Sequence, residues 1–181
     1  MKRLTHTQIN TPAYWDSHQT AMDFGLRQQK YSELAGQGDS IIELGCGLSP
    51  FLYHANFKHR VGLDYSEKTV EQAEKLYPEV EYWVGDATYA NFLLANHFDV
   101  SVSGEMIEHL DKPYNLVKEM SRITKPGGKI IISTPILEFV DPEHIWQLEV
   151  KDFQKWGFKT EIIKSERFPG RKYIFAIKIK K

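Results

Sequence analysis

The chain has 181 residues, of which 41% are hydrophobic, and it contains a single cysteine. This composition is typical of one globular domain and excludes a disordered or disulfide-stabilised protein. The 23 Lys and Arg residues nearly balance the 24 Asp and Glu residues, so a nucleic-acid partner is disfavoured. No apolar stretch approaches the roughly 20 residues that cross a bilayer, and the first residues lack a secretory signal. We therefore expect a cytoplasmic protein without a membrane partner.

The first predicted element is a helix before residue 40. Its apolar face is formed by Phe24, Arg27, Tyr31 and Leu34, which recur at helical spacing. Gly36 follows and is typical of a helix end. We expect residues 1–39 to form a helical cover over a core of residues 40–181, within a single domain 1–181.

From residue 40 onward, short aliphatic runs alternate with longer segments of helical period. The predicted strands are 41–44, 60–64, 80–84, 98–102 and 129–133. The predicted helices are 50–56, 66–77 and 114–124. Near-continuous aliphatic strands separated by helices are typical of a parallel sheet that is covered on both faces.

Three local patterns refine this prediction. Ser66 is a helix N-cap, and Ala73 and Leu76 are expected on the inward side of the helix that follows it. Lys125-Pro126-Gly127-Gly128 is expected to form a turn, because Pro fixes φ and Gly accepts positive φ. Phe168-Pro169-Gly170-Arg171 is expected to join two strands of alternating pattern as an antiparallel hairpin. The chain is therefore predicted to be a three-layer α/β fold with a doubly wound, mostly parallel sheet of seven strands, the last antiparallel.

The most informative loop follows the first strand of the core. Gly45 and Gly47 lie where the chain must turn and where a ligand could approach bare backbone. Asp64 ends the next strand, at the spacing of about 20 residues where an acidic side chain meets ribose hydroxyls. A dinucleotide-binding loop would place a third glycine where Pro50 stands. A nucleotide-type ligand is therefore indicated, and a nicotinamide-dependent oxidoreductase remains the less favoured alternative.

Six short motifs in chain order resemble those of the class I, Rossmann-like S-adenosylmethionine-dependent methyltransferases. They are Glu43-Leu44-Gly45-Cys46-Gly47, Val61-Gly62-Leu63-Asp64, Gly85-Asp86-Ala87, Phe98-Asp99-Val100, Glu105-Met106-Ile107-Glu108-His109-Leu110 and Lys125-Pro126-Gly127-Gly128-Lys129. In motif style the chain is most similar to the small-molecule methyltransferases of the ubiquinone pathway. Ser49 departs from the pattern, because many relatives have a third glycine there.

The resemblance implies cofactor contacts at several positions. Gly45 and Gly47 would form the backbone bed for the methionine part of S-adenosylmethionine, and Asp64 would accept both ribose hydroxyls. Asp86 and Ala87 would contact the adenine. The further contacts in the implied set are Glu43, Cys46, Tyr65 and Glu105. Each carboxylate also has a structural alternative, since Asp commonly caps helices and closes turns. Cys46 is interpreted as a small packing residue rather than a nucleophile.

The segment after the fourth strand carries the candidate catalytic residues, His109 and Glu105. An imidazole titrates near neutrality and could act as a general base, although a structural histidine is an equal alternative. On a helix, Glu105, Glu108 and His109 would share one face, and His144 could complete a divalent-metal site. This pattern resembles the metal-dependent small-RNA 2′-O-methyltransferases. Similar segments occur in relatives without metal, so no metal is expected.

The sequence thus predicts an S-adenosylmethionine-dependent methyltransferase that acts on an oxygen of a small metabolite or glycan. Aromatic residues of the 14–16 and 135–148 segments, among them Tyr14, Trp15, Phe139 and Trp146, could stack on the acceptor or cover the cofactor. The alternatives are a metal-dependent RNA 2′-O-methyltransferase, the oxidoreductase, and a cofactor-binding protein without activity. The oligomeric state is left open.

Overall fold

The computed structural model describes residues 24–136 and 144–181. The helices in these ranges are α1 Phe24–Ala35, α2 Phe51–His54, α3 Glu67–Leu76, α4 Pro113–Ile123 and α5 Val150–Lys155, with a short 3₁₀ turn at Ile107–His109. The strands are β1 Gln37–Leu44, β2 Asn56–Asp64, β3 Glu81–Val84, β4 Phe98–Gly104, β5 Thr124–Ile136, β6 Lys159–Lys164 and β7 Lys172–Ile179.

The seven strands form one sheet in the order β3-β2-β1-β4-β5-β7-β6. Neighbouring strands from β3 to β5 pair in parallel, whereas β7 is antiparallel to both β5 and β6. The predicted doubly wound sheet with a reversed last strand is confirmed. The strand order reverses between β1 and β4, and ligands of such sheets bind in the crevice at the carboxyl ends of the strands on either side.

Two apolar clusters cover the two faces of the sheet. In β1, Ile42 and Leu44 lie in the cluster that includes α4, whereas Ile41 lies in the cluster that includes α1 and α3. In β5, Ile130 and Ile132 lie in the first cluster, whereas Ile131 between them lies in the second, on the opposite face. This period of two follows from the pleat of a strand. Burying an aliphatic side chain fully contributes about 1.5–3 kcal/mol, so both helical layers are held to the sheet mainly by apolar contacts.

The helix α3 begins as predicted but does not bury the residues that we expected. The Ser66 hydroxyl accepts a hydrogen bond from Thr69 N at 3.0 Å, which caps the helix. Val70 and Ala73 are buried, but Leu76 is 57% exposed, so its predicted inward position was wrong. Each step of three residues rotates a helical side chain by about 60° away from the previous one. The last helical residue has therefore turned away from the sheet.

The predicted turn at 125–128 lies within the first part of β5 instead of between two elements, although Gly127 has the positive φ that was expected. The pairing with β4 is irregular there, since Phe98 pairs with Thr124 but Val100 pairs with Lys129. Gly127 has φ +78°, and its N–H donates to Lys180 O at 2.8 Å. The Pro and Gly residues thus mark a bulge within a strand, which the end of the chain keeps hydrogen-bonded.

Two local predictions, the end of the first helix at Gly36 and the hairpin at 168–171, are confirmed. Helix α1 ends at Gly36, which has φ +74° and donates its N–H to Ser32 O at 3.0 Å. The predicted hairpin joins β6 to β7, and Arg171 N donates to Phe168 O at 3.0 Å within it. None of the helices in residues 24–136 and 144–181 has the length and apolar character of a membrane span.

Candidate functional site

The loop after β1 contains two glycines with left-handed backbone. Gly45 has φ +69° and Gly47 has φ +53°, a region that favours glycine. A Cβ atom on Gly45 would overlap the Sδ atom of Met106, whereas a Cβ on Gly47 would meet nothing within 4 Å. The loop after β1 is therefore packed directly against the loop after β4, and its outer glycine presents bare backbone to open space.

Asp64 ends β2 beside this loop. One carboxylate oxygen accepts a hydrogen bond from Gly47 N at 2.9 Å, and the other accepts from Ser66 N at 3.0 Å. Asp64 therefore links the glycine loop to Ser66, the residue that caps α3, and is not itself the helix cap. Contact with ribose hydroxyls remains a prediction.

Asp86 lies at the same edge of the sheet, beyond the end of β3. Its carboxylate accepts hydrogen bonds from both N and Oγ1 of Thr88, each at 2.7 Å, and so closes a turn. Ala87 is buried behind it and Tyr65 is 41% exposed. The residues that the motifs assign to ribose and adenine are thus brought to one edge, as predicted, and their contacts with a cofactor remain predictions.

Two buried side chains lie beneath the loop. The Glu43 carboxyl is 2% exposed, and burial raises its pKa to about 8, against the opposing effects of Arg27 and of a hydrogen bond from Ser49. Its Oε2 atom has no hydrogen-bond partner among the described residues. Burial also raises the pKa of the Cys46 thiol, which agrees with the predicted packing role.

Glu105 follows β4 in an unusual conformation. Its φ is +55°, and its backbone N–H donates to Ser133 O at 3.1 Å. The Ser133 hydroxyl donates to Glu105 Oε1 at 3.1 Å and lies 2.6 Å from the hydroxyl of Tyr31. Burial is the main reason that the pKa of Glu105 is raised to about 7. The charge of Arg27 lowers this pKa, and the charge of Glu108 raises it further. The carboxyl group is thus held in place and titrates near neutrality.

Helix α1 contributes residues to the site that the sequence did not assign there. Arg27 is 4% exposed. Burial lowers the pKa of its guanidinium, but the nearby carboxylates of Glu105 and Glu43 raise it, so the net shift is upward. The Tyr31 hydroxyl reaches Ser133, and a Cβ on Gly104 would overlap it. The available signal was an arginine on the otherwise apolar face of the predicted helix, since a buried guanidinium requires acidic partners.

The helical arrangement in which Glu105, Glu108 and His109 would share one face is not formed. Only Ile107–His109 forms a helical turn, of 3₁₀ type, because Glu105 has a left-handed backbone and pairs with β5. Glu108, His109 and His144 nevertheless come together, with one potential ligand atom from each within 4.8 Å of the others. Glu105 is outside this group.

The segment that carries His144 is attached to the same turn. Trp146 N donates to Glu108 O at 3.1 Å, and its indole N–H donates to Leu110 O at 2.9 Å. The Trp146 side chain remains 45% exposed. The other aromatic candidates, Tyr14, Trp15 and Phe139, lie outside the described residues.

A glycine loop after β1, where the strand order reverses, and acidic residues at the ends of β2 and β3, in a seven-stranded sheet with β7 antiparallel, define the class I methyltransferase fold. The profile of the methyltransferase domain family matches residues 42–132, about half of the chain. The chain belongs to this family, and its class uses S-adenosylmethionine as cofactor. The resemblance that the six motifs indicated is confirmed. The cofactor of the family is S-adenosylmethionine and not the nicotinamide cofactor that the alternative hypothesis required.

Comparisons with individual proteins agree with the family match. A Mycolicibacterium smegmatis protein named as an S-adenosylmethionine-dependent methyltransferase is 34% identical over 119 residues, which are 62% of this chain and 45% of that protein. The ubiquinone biosynthesis O-methyltransferase of Coxiella burnetii is 30% identical over 105 residues, which are 54% of this chain and 44% of that protein. The matches thus span less than half the length of these relatives.

Among solved structures, the geranyl diphosphate C-methyltransferase of Streptomyces coelicolor superposes with a TM-score of 0.68 at 14% identity. The superposition covers 86% of this chain and 77% of that one, whose structure was solved with Mg²⁺, geranyl diphosphate and S-adenosyl-L-homocysteine. At this level of identity the likeness concerns the fold.

Proposed function

We propose that the protein transfers a methyl group from S-adenosylmethionine to an oxygen of a small metabolite or glycan. The observation that carries the proposal is the contact between Gly45 and Met106. Glu105 directly precedes Met106 in the loop after β4, so this contact supports a role of Glu105 beside the glycine loop that the family uses for its cofactor.

The residues of the crevice fit this cofactor. The bare backbone of Gly47 borders open space, and Oε2 of buried Glu43 has no hydrogen-bond partner among the described residues and can take part in a hydrogen bond with a ligand. When bound, S-adenosylmethionine supplies the methyl group on a positively charged sulfur. Asp64 would accept the ribose hydroxyls, and Asp86 and Ala87 would contact the adenine. The remaining proposed contacts are Cys46, Tyr65 and Glu105.

Transfer to a hydroxyl group requires that a nearby base accept its proton. Glu105 is suited to this task because its pKa of about 7 lies near neutral pH, where about half of the carboxyl groups are ionised and able to accept a proton. His109 is the second candidate, since it is 7% exposed and lies near Glu108. Most of the rate enhancement would come from holding the hydroxyl in line with the methyl group.

A small acceptor is favoured over a polyanion. The formal net charge of −1 gives no strong attraction to phosphate groups, on which the affinity of nucleic-acid binding depends. The similarity to the ubiquinone biosynthesis O-methyltransferase supports an oxygen as acceptor atom. Because the solved relative is named a C-methyltransferase, the acceptor atom must be tested directly.

The test incubates the purified protein with S-adenosylmethionine and a panel of hydroxylated aromatics, sugars and a short RNA, and measures S-adenosylhomocysteine formation. We expect turnover with a hydroxylated small molecule, and a Glu105→Gln variant should lose at least about tenfold in rate. His59→Gln is the matched control, because its partner Glu81 lies on the exposed surface. Turnover with RNA alone, or binding without any turnover, would contradict the proposal.

A further inference from the structure

Glu43 is a buried acid near the end of the central strand β1. It pairs with Gly62 of β2 and with Val102 of β4, and it is 2% exposed. Side chains alternate along a strand, and Ile42 and Leu44 belong to the cluster that includes α4, so Glu43 lies on the face covered by α1. An ionised carboxylate in such a place requires a nearby positive charge.

One guanidinium serves two acids in this part of the protein. The charge of Arg27, in α1, acts on Glu43 and also on Glu105. Arg27 balances one carboxylate, so ionisation of both acids would leave one negative charge unbalanced among the described residues near it. Burial raises the pKa of Glu43 to about 8 and that of Glu105 to about 7, so Glu43 is the acid that keeps its proton at neutral pH.

The other titratable groups that face Glu43 do not relieve this imbalance. Burial raises the pKa values of Tyr31, Cys46 and Tyr82, so these three groups are neutral near pH 7. Asp64, at the end of β2, adds negative charge and raises the pKa of Glu43 further. The ionisation of Glu43 is therefore sensitive to any positive charge that enters the crevice.

The crevice receives such a charge in one form of the cofactor and not in the other. The methylated sulfur of S-adenosylmethionine is a cation, whereas the sulfur of S-adenosylhomocysteine is neutral. Glu43 comes two residues before Gly45, the first glycine of the loop, and its Oε2 atom has no hydrogen-bond partner among the described residues. Within a protein, a unit charge roughly 8 Å from a carboxyl shifts its ionisation equilibrium about 30-fold.

We propose that Glu43 exchanges a proton with solvent whenever the charge of the bound cofactor changes, so that it is ionised with S-adenosylmethionine and protonated with S-adenosylhomocysteine. This inference rests on the proposed use of the crevice by the cofactor. With the sulfonium bound, Glu43 and Glu105 are balanced by two cations, the second of which is Arg27. With the neutral product bound, Arg27 balances a single carboxylate.

The proposal gives the two cofactor forms different pH dependences. Because the free protein loses the Glu43 proton when it binds S-adenosylmethionine, the affinity for this form should rise about 10- to 30-fold from about pH 6 to about pH 8. The contribution of Glu43 to the affinity for S-adenosylhomocysteine should stay constant over this range. The protein would then prefer its substrate form over its product form more strongly as pH rises.

The test is calorimetric titration with each cofactor form in phosphate and in Tris, two buffers whose heats of protonation differ, so that the protons released on binding are counted. At about pH 7.3, we expect wild type to release about 0.5–1 proton more than Glu43→Gln with S-adenosylmethionine. With S-adenosylhomocysteine the two proteins should release equal numbers. Titration of the amino group of each ligand occurs in both proteins and cancels in this comparison.

Glu81→Gln is the matched control, because Glu81 is an acid of β3 that forms an exposed contact with His59. It should release as many protons as wild type. Circular dichroism verifies that both variants are folded. If Glu43→Gln does not fold, infrared difference spectra of wild type replace it, and the band of a protonated carboxyl should disappear when S-adenosylmethionine replaces S-adenosylhomocysteine.

Equal proton release by wild type and a folded Glu43→Gln variant with S-adenosylmethionine would overturn the proposal, and so would an unchanged infrared carboxyl band. Binding of both cofactor forms with either of these results would leave the methyltransferase site intact and remove only the proton exchange. Absence of binding by either form would overturn the cofactor crevice together with this inference.

Discussion

Gly45 and Gly127 have similar backbone conformations in different surroundings. Their φ angles are +69° and +78°, but a Cβ on Gly45 would overlap Met106, whereas a Cβ on Gly127 would meet nothing within 4 Å. An L-residue in this region costs roughly 1–2 kcal/mol, and overpacking adds typically about 1–3 kcal/mol. We therefore expect Gly45→Ala to lower the free energy of unfolding in urea by about 2–5 kcal/mol and Gly127→Ala by about 1–2 kcal/mol. Equal losses would show that Met106 does not constrain the loop.

The buried Glu43 carboxyl predicts a particular dependence of stability on pH. Its pKa is about 8 in the folded protein and near 4.5 in the unfolded chain, so the folded state binds more protons between these values. The free energy of unfolding should therefore fall as pH rises from about 5 to 8, with a contribution of up to roughly 1.4 kcal/mol per pH unit. Glu43→Gln removes this contribution.

The measurement compares urea unfolding of wild type and Glu43→Gln at several pH values. We expect the stability of the variant relative to wild type to increase steadily from pH 5 to pH 8. A difference that does not change with pH would mean that Glu43 is ionised throughout this range, in conflict with its burial.

For individual residues, the sequence predicted which residues lie at the crevice better than it predicted the hydrogen bonds and backbone conformations that hold them there. The glycines and Asp64 could be assigned because strand ends, spacing and turn chemistry are local signals. The left-handed backbone of Glu105 could not, since it depends on the hydrogen bond between its N–H and Ser133 in another strand. That single conformation prevents Glu105 from sharing a helical face with Glu108 and His109.

At the scale of elements, α1 is attached to the site through Tyr31. Its hydroxyl is 2.6 Å from Ser133 Oγ, and the Ser133 hydroxyl in turn donates to Glu105. Removing a buried hydrogen bond costs about 0.5–1.5 kcal/mol, so Tyr31→Phe should lower the free energy of unfolding by that amount. It should also slow methyl transfer through the loosened Glu105.

The matched control for Tyr31→Phe is Tyr53→Phe, because Tyr53 lies in α2 and is 41% exposed. We expect it to change stability by less than about 0.5 kcal/mol, as is usual for surface substitutions. Chemical denaturation and initial rates test both variants. If Tyr31→Phe matched wild type in both, α1 would cover the sheet without supporting the site.

The element that was predicted least well is the start of β5. Pro126 and Gly127 have the local chemistry of a turn, and sequence patterns report local chemistry. The hydrogen bonds from Gly127 N to Lys180 O and from Lys180 N to Gly128 O come from a residue more than 50 positions away, and they make the segment part of the sheet. Such distant pairing is not encoded in a short window of sequence.

For the whole molecule, the sheet order followed from general rules and the clustering of side chains did not. Alternating strands and helices imply a parallel sheet, and the final hairpin implies one reversed strand. The meeting of His144 with Glu108 and His109 depends on how the segment after β5 returns to the sheet edge, which no periodicity specifies. The same holds for Arg27 between two acidic residues.

The most direct test of the account is calorimetric titration of the protein with S-adenosylhomocysteine. We predict saturable binding of one equivalent to wild type and unchanged affinity for His59→Gln. Asp64→Ala should bind about 10- to 100-fold more weakly, because hydrogen bonds to a charged group are worth about 1.5–3 kcal/mol. Its fold must be verified by circular dichroism, since Asp64 also holds Gly47 and Ser66. No heat from wild type at millimolar ligand, or full affinity in a folded Asp64→Ala variant, would contradict a cofactor crevice at the ends of β1 and β2.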